Sequence, residues 1–551
     1  MKNLTPLALA IALASGSAFA GTNNQASVNQ DGNDNYASVD QSVNSQDNSA
    51  SIAQEGNENS SSIAQASTSE AEATSLQIGN NNTSTITQTT QTSGSLASVT
   101  SEGNSNEATI TQEVNNGDAL ATVDQVGDAN IATISQNDGD QAISTIYQEG
   151  NGNTATIDNY WSDFANASID QVAGNGNNAL ISQNNSDGAT AEIRQSLGDG
   201  NSATINQNTG SFSYAPEATF ASIDQEGNGN LALIDQGNLA NSAEVMQIGD
   251  NNNATVNQLA SSSSTSIILQ AGFGNTATTT QAGSNQNANV EQDGESNLAS
   301  IDQSGESNLA DTYQNGTNNS ATVSQADFSN ETTVEQLGSD NLATVTQIGT
   351  DNIADVAQDG ALNNATIDQA NENNMASVNQ TGNGNIATID QTASVSGLAS
   401  AEVNGGNNNM ATITQNGELN EAAIVNNGSG AIAEITQTGN NNEAWGGTWG
   451  TDTTLTITQT GNDNYAYGDS SSNASDVDIT QLGNENYAMV ESFWGQGNDL
   501  DVLQQGDNLT ANVYSNGDFN TATVTQYESF NTTDVTQLGN GNTAVVVQGQ
   551  L

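Results

Sequence analysis

The chain has no cysteine and no histidine in its 551 residues, and only two prolines. Without cysteine there is no disulfide framework, so order must come from packing and hydrogen bonds. Basic residues are nearly absent. Lys2 and Arg194 stand against 63 Asp and Glu, for a formal net charge of −61. Phosphate binding needs cations, so a nucleic-acid partner is close to excluded, as is adsorption to an anionic membrane. No apolar run is long enough to span a bilayer. Bases and nucleophiles of the His, Cys and Lys type are missing, and paired acids such as Asp302 and Glu306 have no cleft to work across. The reading is therefore not an enzyme, with no cofactor and no metal. Low hydrophobicity with high charge often signals disorder. Here the scarcity of proline and the regular spacing of Ala, Ile and Val argue against it.

Residues 1–20 read as a secretion signal. Lys2 gives the charged start, Leu7 to Ala14 a short apolar run, and Ala18-Phe19-Ala20 the small-x-small site before Gly21. The mature chain, 21–551, is expected outside the cell and reads as a single repeat domain.

Glutamine recurs every eleven residues, at Gln270, Gln281, Gln292, Gln303, Gln314, Gln325, Gln336, Gln347, Gln358, Gln369, Gln380 and Gln391. A fixed short period over most of a chain marks a solenoid. Within Asn297–Gln303 the sequence alternates, so Asn297, Ala299, Ile301 and Gln303 share one strand face. That set recurs down the chain while the alternate set varies, which assigns it to the interior. The following G-x-x-N supplies a tight turn.

Two turn types alternate in the first third. One carries Gly two residues after the Gln slot, at Gly32, Gly56, Gly79, Gly103, Gly127 and Gly150, with Ser101 in one slot. The other is loose, with Val43, Ser67, Thr90, Val114 and Asp138 at that place. The true repeat is then a pair of strands. The predicted fold is an all-β, two-strand-per-coil β-solenoid of cross-β type, about 23 coils of 22–25 residues. A loop insertion is expected near 208–220, around Pro216, and degenerate coils near 392–410, 444–475 and 488–503. Buried amides must be paired, so the Gln and Asn columns are read as structural ladders of the kind seen in cross-β stacks.

These residues resemble the curlin repeats of bacterial curli fibres, S-x5-Q-x-G-x-G-N-x-A-x3-Q. Gln380, Gly382, Gly384, Asn385, Ala387 and Gln391 match from the first Gln onward, as do Gln225, Gly227, Gly229, Asn230, Ala232 and Gln236. The leading Ser is often Asn here, as at Asn24, Asn48 and Asn374. The chain also holds over twenty repeats, whereas the family's subunits typically have about five. The resemblance implies a secreted, cell-surface fimbrial subunit of a Gram-negative bacterium. Such a subunit is a functional amyloid in biofilm and cell adhesion. Its partners are itself, a curli-type nucleator and an outer-membrane secretion channel.

Repeats begin within a few residues of Gly21 and leave only Gly549, Gln550 and Leu551 after Gln548. Both end coils are thus expected to present open strand edges, which template further chains. Two outward patterns offer alternatives. Thr pairs such as Thr85/Thr87, Thr109/Thr111, Thr344/Thr346, Thr412/Thr414 and Thr456/Thr458 line one face, with Leu180, Leu233 and Glu434 interrupting. They fit plain β-propensity, or a flat face for ice or a lateral partner. Acidic turns such as Gly249-Asp250-Asn251 could supply calcium ligands, but the repeated calcium-solenoid motif is missing, which favours solvated charges that limit lateral aggregation.

Overall fold

The computed structural model describes residues 21–90, 92–114, 116–210 and 219–549. The proposed leader, Pro216 with the middle of the insertion, and the last two residues lie outside this set. Among the described residues there is no helix. There are 46 strands, from β1 (Gln25–Asp31) to β46 (Thr543–Gln548). Two strands make each coil of a parallel β-solenoid.

Contacts divide the chain into two units, Met1–Val172 with Ile181–Ala189, and Ala173–Leu180 with Thr190–Leu551. Within each, odd-numbered strands pair in parallel with the next odd one and even strands with the next even one. In the first unit Gln30 faces Gln54 and Gln54 faces Gln77. In the second, Gln292 faces Gln314, while Gln303 faces Gln325 in the other sheet. Where the loop insertion falls, Gln195 still faces Gln225 thirty residues on, and their amides bond at 2.9 Å. The register from Gln195 to Gln225 is kept across the insertion.

Alternation decides what is inside. Along Leu298–Glu306, Ala299, Ile301 and Gln303 are buried and Leu298 is exposed. The pattern holds through the inner coils. It fails at Gln25–Asp31, which is exposed throughout. Each coil adds roughly an Ala and an Ile or Val from both strands, so its core is one thin apolar layer. Parallel stacking lets identical side chains lie over one another, which suits small and β-branched residues on a pleated surface.

The bends need unusual backbone. The glycines two residues after the Gln slot have φ of +124° at Gly32, +119° at Gly56, +122° at Gly150, +109° at Gly227 and +108° at Gly382. Space forbids a side chain there as well. A Cβ on Gly56 would collide with the carbonyl oxygen of Gly79 one coil on. At the corresponding place the loose turns use left-handed residues that are not glycine. Val43, Ser67, Thr90, Val114 and Asp138 have φ between +52° and +63°.

Candidate functional site: amide ladders and two outward faces

The glutamines are joined rung to rung. In the odd sheet, Nε2 of Gln270 donates to Oε1 of Gln292 at 2.9 Å, Gln292 to Gln314 at 2.8 Å, and Gln314 to Gln336 at 2.7 Å. Gln336, Gln358 and Gln380 continue the series at 2.8 Å each. In the even sheet, Gln281, Gln303, Gln325, Gln347, Gln369 and Gln391 form the matching series at 2.9–3.0 Å. Gln225 and Gln236 each donate one coil on, to Gln247 and Gln258. The second amide proton crosses the core. Gln303 Nε2 donates to the carbonyl of Asn287 and Gln314 Nε2 to that of Leu298, both at 2.9 Å. One side chain thus ties two coils and two sheets.

The asparagines close the bends. Asn297 Nδ2 donates to the carbonyl of Gly316 at 3.1 Å, and its Oδ1 accepts the backbone N–H of Asn319 at 3.0 Å. Asn230 makes the same two bonds with Gly249 and Asn252, and Asn385 with Gly406 and Asn409. A side-chain amide here stands in for a peptide group, carrying the hydrogen-bond ladder around a corner where the strand has ended.

A second, outer ladder went unread in the sequence. Asn57 Nδ2 donates to Asn80 Oδ1, Asn80 to Asn104 and Asn104 to Asp128, each at 2.9 Å. These residues follow the turn glycines, so the recurring Gly-Asn or Gly-Asp pair was the available signal.

The three irregular spans belong to one column. In the odd sheet the Gln slot after Gln380 is filled in turn by Val403, Asn426, Thr448, Ser470, Ser492 and Ser515, before Gln537. The even sheet beside it keeps Gln391, Gln415, Gln437, Gln459, Gln481, Gln504 and Gln526 in unbroken contact.

The outward faces differ. On the even sheet Thr344, Thr366, Thr388 and Thr412 stack in register until Glu434, and Thr414, Thr436, Thr458 and Thr480 until Leu503. Carboxylates also stack there. Asp476 faces Asp499 and Asp478 faces Asp501. Burial pushes the carboxyls of Asp476, Asp478 and Asp501 above their usual range, with the neighbouring acids adding to it for Asp476 and Asp501. Asp250 is held below that range by hydrogen bonds from the Asn228 backbone and side chain. Among the described residues, no group of three or more His, Cys, Asp or Glu is placed to hold a metal ion.

The Curlin associated repeat matches residues 240–268, 294–326, 328–349, 349–382, 406–444 and 450–483. The chain is a member of the curlin-repeat family. Nothing among curated proteins matches it. Gln314, Gln358 and Gln369 lie inside these matches, as do Asn252, Asn319 and Asn341, and Gln270 lies just past the first. The curlin pattern of Gln, Gly and Asn is therefore a description of rung, bend and corner bond. The family and the fold are structural rather than enzymatic, and among the described residues no helix is long and apolar enough to cross a membrane.

Proposed function

We propose that this curlin-repeat protein is a secreted structural subunit that assembles end to end into curli-like extracellular amyloid fibres, serving biofilm matrix and cell adhesion in a Gram-negative bacterium. The observation that carries the reading is the self-complementarity of the coil. What one coil donates from Gln314 Nε2, the next accepts at Gln336 Oε1, and the same pair recurs at junction after junction. A coil face built this way fits another copy of itself as well as it fits its own neighbour, which is the condition for cross-β stacking. Export through a dedicated outer-membrane channel and nucleation by a second protein complete the proposal.

The test is incubation of the purified mature chain with thioflavin T, followed by fibre diffraction. Dye-positive fibres with a reflection near about 4.8 Å are expected. Assembly should accelerate as salt rises or as pH falls toward about 4, because screening or protonation relieves carboxylate repulsion. A chain that stays monomeric under all these conditions would refute the proposal.

A second reading rests on the in-register Thr stacks of the even sheet, Thr344 to Thr412 and Thr414 to Thr480. Such a flat hydroxyl-and-methyl array suits ice or a lateral partner. Ice-growth inhibition by the monomer would favour it, and its absence would remove the ice form of that reading.

A further inference from the structure

The odd strands carry tyrosines in an outward position where the even strands carry none. The position is that of the residue just before each Gln slot. Three tyrosines stand in it, and each lies beside carboxylates of adjacent coils. Tyr147 faces Asp124, and both line a shallow depression of about 400 Å³ together with Thr122, Thr145, Ser168 and Asp170. Tyr313 faces Glu291 on one side and Glu335 on the other. Tyr514 faces Glu491, and both line a depression of about 220 Å³ with Met489, Asn512 and Asp534. The same column of the even sheet has no aromatic residue. It reads Thr, Ser, Asp or Asn at most coils, with Leu503 and Val547 near its end.

The column already holds one cation. Arg194, the only basic residue after Lys2, stands in it beside Asp224, with Nη1 to Oδ2 at 3.3 Å. A guanidinium group is therefore sterically at home on this face, spanning one rung. Elsewhere the chain offers its acids no internal counter-charge, since 63 carboxylates share that one arginine and Lys2. Adjacent rungs lie about 4.8 Å apart, and a cation is attracted to an aromatic face within about 6 Å of its centre. A cation over the ring is thus in reach of the neighbouring carboxylate. Guanidinium suits this best, because it stacks on rings and bonds carboxylates with two parallel N–H groups.

We infer that the Tyr–carboxylate stretches of the odd strands, at Tyr147 in the first unit and at Tyr313 and Tyr514 in the second, are docking sites for an arginine-rich basic polypeptide. Arg194 beside Asp224 is the internal version of the same contact. Acids alone would attract any cation by charge. The ring between them adds a preference for a planar cation and places it on one of the two sheets. The inference is independent of fibre growth, because it concerns a lateral face.

The experiment uses the full-length mature chain in its monomeric state at physiological ionic strength, titrated with a short oligoarginine peptide, with spermine as the comparison cation. One variant carries Tyr147→Thr, Tyr313→Thr and Tyr514→Thr, which keeps every carboxylate and installs the residue the even sheet uses in this slot. A second carries Asp302→Asn, Asp368→Asn and Asp390→Asn on the even sheet. An unchanged far-ultraviolet β-sheet spectrum shows that both fold. The tyrosine variant should bind oligoarginine about two- to fivefold more weakly, with spermine binding unchanged. The even-sheet variant should lose less than twofold. Equal oligoarginine binding by the wild type and the tyrosine variant overturns the inference. So does a loss in the even-sheet variant as large as that in the tyrosine variant, or a spermine affinity that falls with the rings in the same proportion.

Discussion

Leu455 occupies the core space that a side chain at Gly468 would need. A Cβ on Gly468 would lie 2.5 Å from Leu455 Cδ1, and one on Gly446 would lie 2.7 Å from Cδ2. Leu455 stands in a slot that Ala433 fills one coil earlier, while Gly446 and Gly468 stand where Ile424 precedes and Val490 follows. The large residue has moved to the opposite sheet, and the two glycines make room for it.

This exchange predicts strong coupling. Gly468→Val alone should destabilise by about 1–3 kcal/mol through overpacking, and Leu455→Ala alone by about 2–5 kcal/mol through a cavity. The double variant restores one large and one small residue and should cost clearly less than the sum. Denaturant midpoints with hydrogen exchange across 443–470 measure it. Additive costs would mean that the two sites do not share space.

Gln314 accepts from Gln292 and donates to Gln336 and to the carbonyl of Leu298. Gln314→Ala strips all three and opens a hole, for an expected loss of about 2–5 kcal/mol. Gln314→Glu should be pH-dependent. A buried carboxyl has its folded pKa raised, so the variant is most stable when protonated and loses stability as pH rises through that value. A flat stability profile for Gln314→Glu between acid and neutral pH would contradict the rung geometry.

Leu362 and Leu419 sit at bends with φ of +59° and +55°, and their side chains are 65% and 60% exposed. A left-handed conformation costs such a residue about 1–2 kcal/mol, and little burial is at stake. Leu362→Gly should therefore raise stability by about 0.5–1 kcal/mol after the extra chain entropy of glycine is counted. A lowered denaturation midpoint would show that Leu362 makes a contact worth more than its strain.

In the stacked rows of the even sheet, Asp476, Asp478 and Asp501 have folded pKa values raised chiefly by burial. A carboxyl raised on folding takes up protons more readily folded than unfolded. Its charged form therefore penalises the fold above the folded pKa, and that penalty is lifted as pH falls toward about 4. Asp250, lowered by Asn228, works in the opposite sense but lies at the surface. Protection from hydrogen exchange across 476–505 should rise on mild acidification. Asp478→Asn with Asp501→Asn should give most of that gain at neutral pH. Protection that falls on acidification would reverse the sign of the effect.

Period and alternation made the coil legible. Gln every eleven residues, Ala and Ile two apart, and Gly at every second bend are enough to specify strand, face and pairing, because parallel stacking places like over like. Other features were not legible for physical reasons. The outer Asn57–Asn80–Asn104 ladder lies at a bend, where the alternation rule has ended. Val43 and Thr90 adopt left-handed backbone with β-branched side chains, which local preference opposes and the coil imposes. The spans near 392–410, 444–475 and 488–503 looked like separate lapses along the chain. In space Val403, Asn426, Thr448, Ser470 and Ser492 are successive steps of one column, and the other sheet keeps its Gln series beside them. Tyr147, Tyr313 and Tyr514 were invisible as a set because only the odd–even division of strands gives them the same slot before the Gln position.

The regular coils meet their neighbours through the same three kinds of bond, made by Gln, by Asn and by the peptide ladder. Ile353 therefore faces Met375 much as Met375 faces Leu398. Removing residues 353–374 would bring the strand beginning at Met375 against Glu331 and rebuild the same junction. Length in this molecule is thus free to drift. Unequal recombination between near-identical repeats in its gene can add or drop whole coils, and no interface has to be invented for the protein that results.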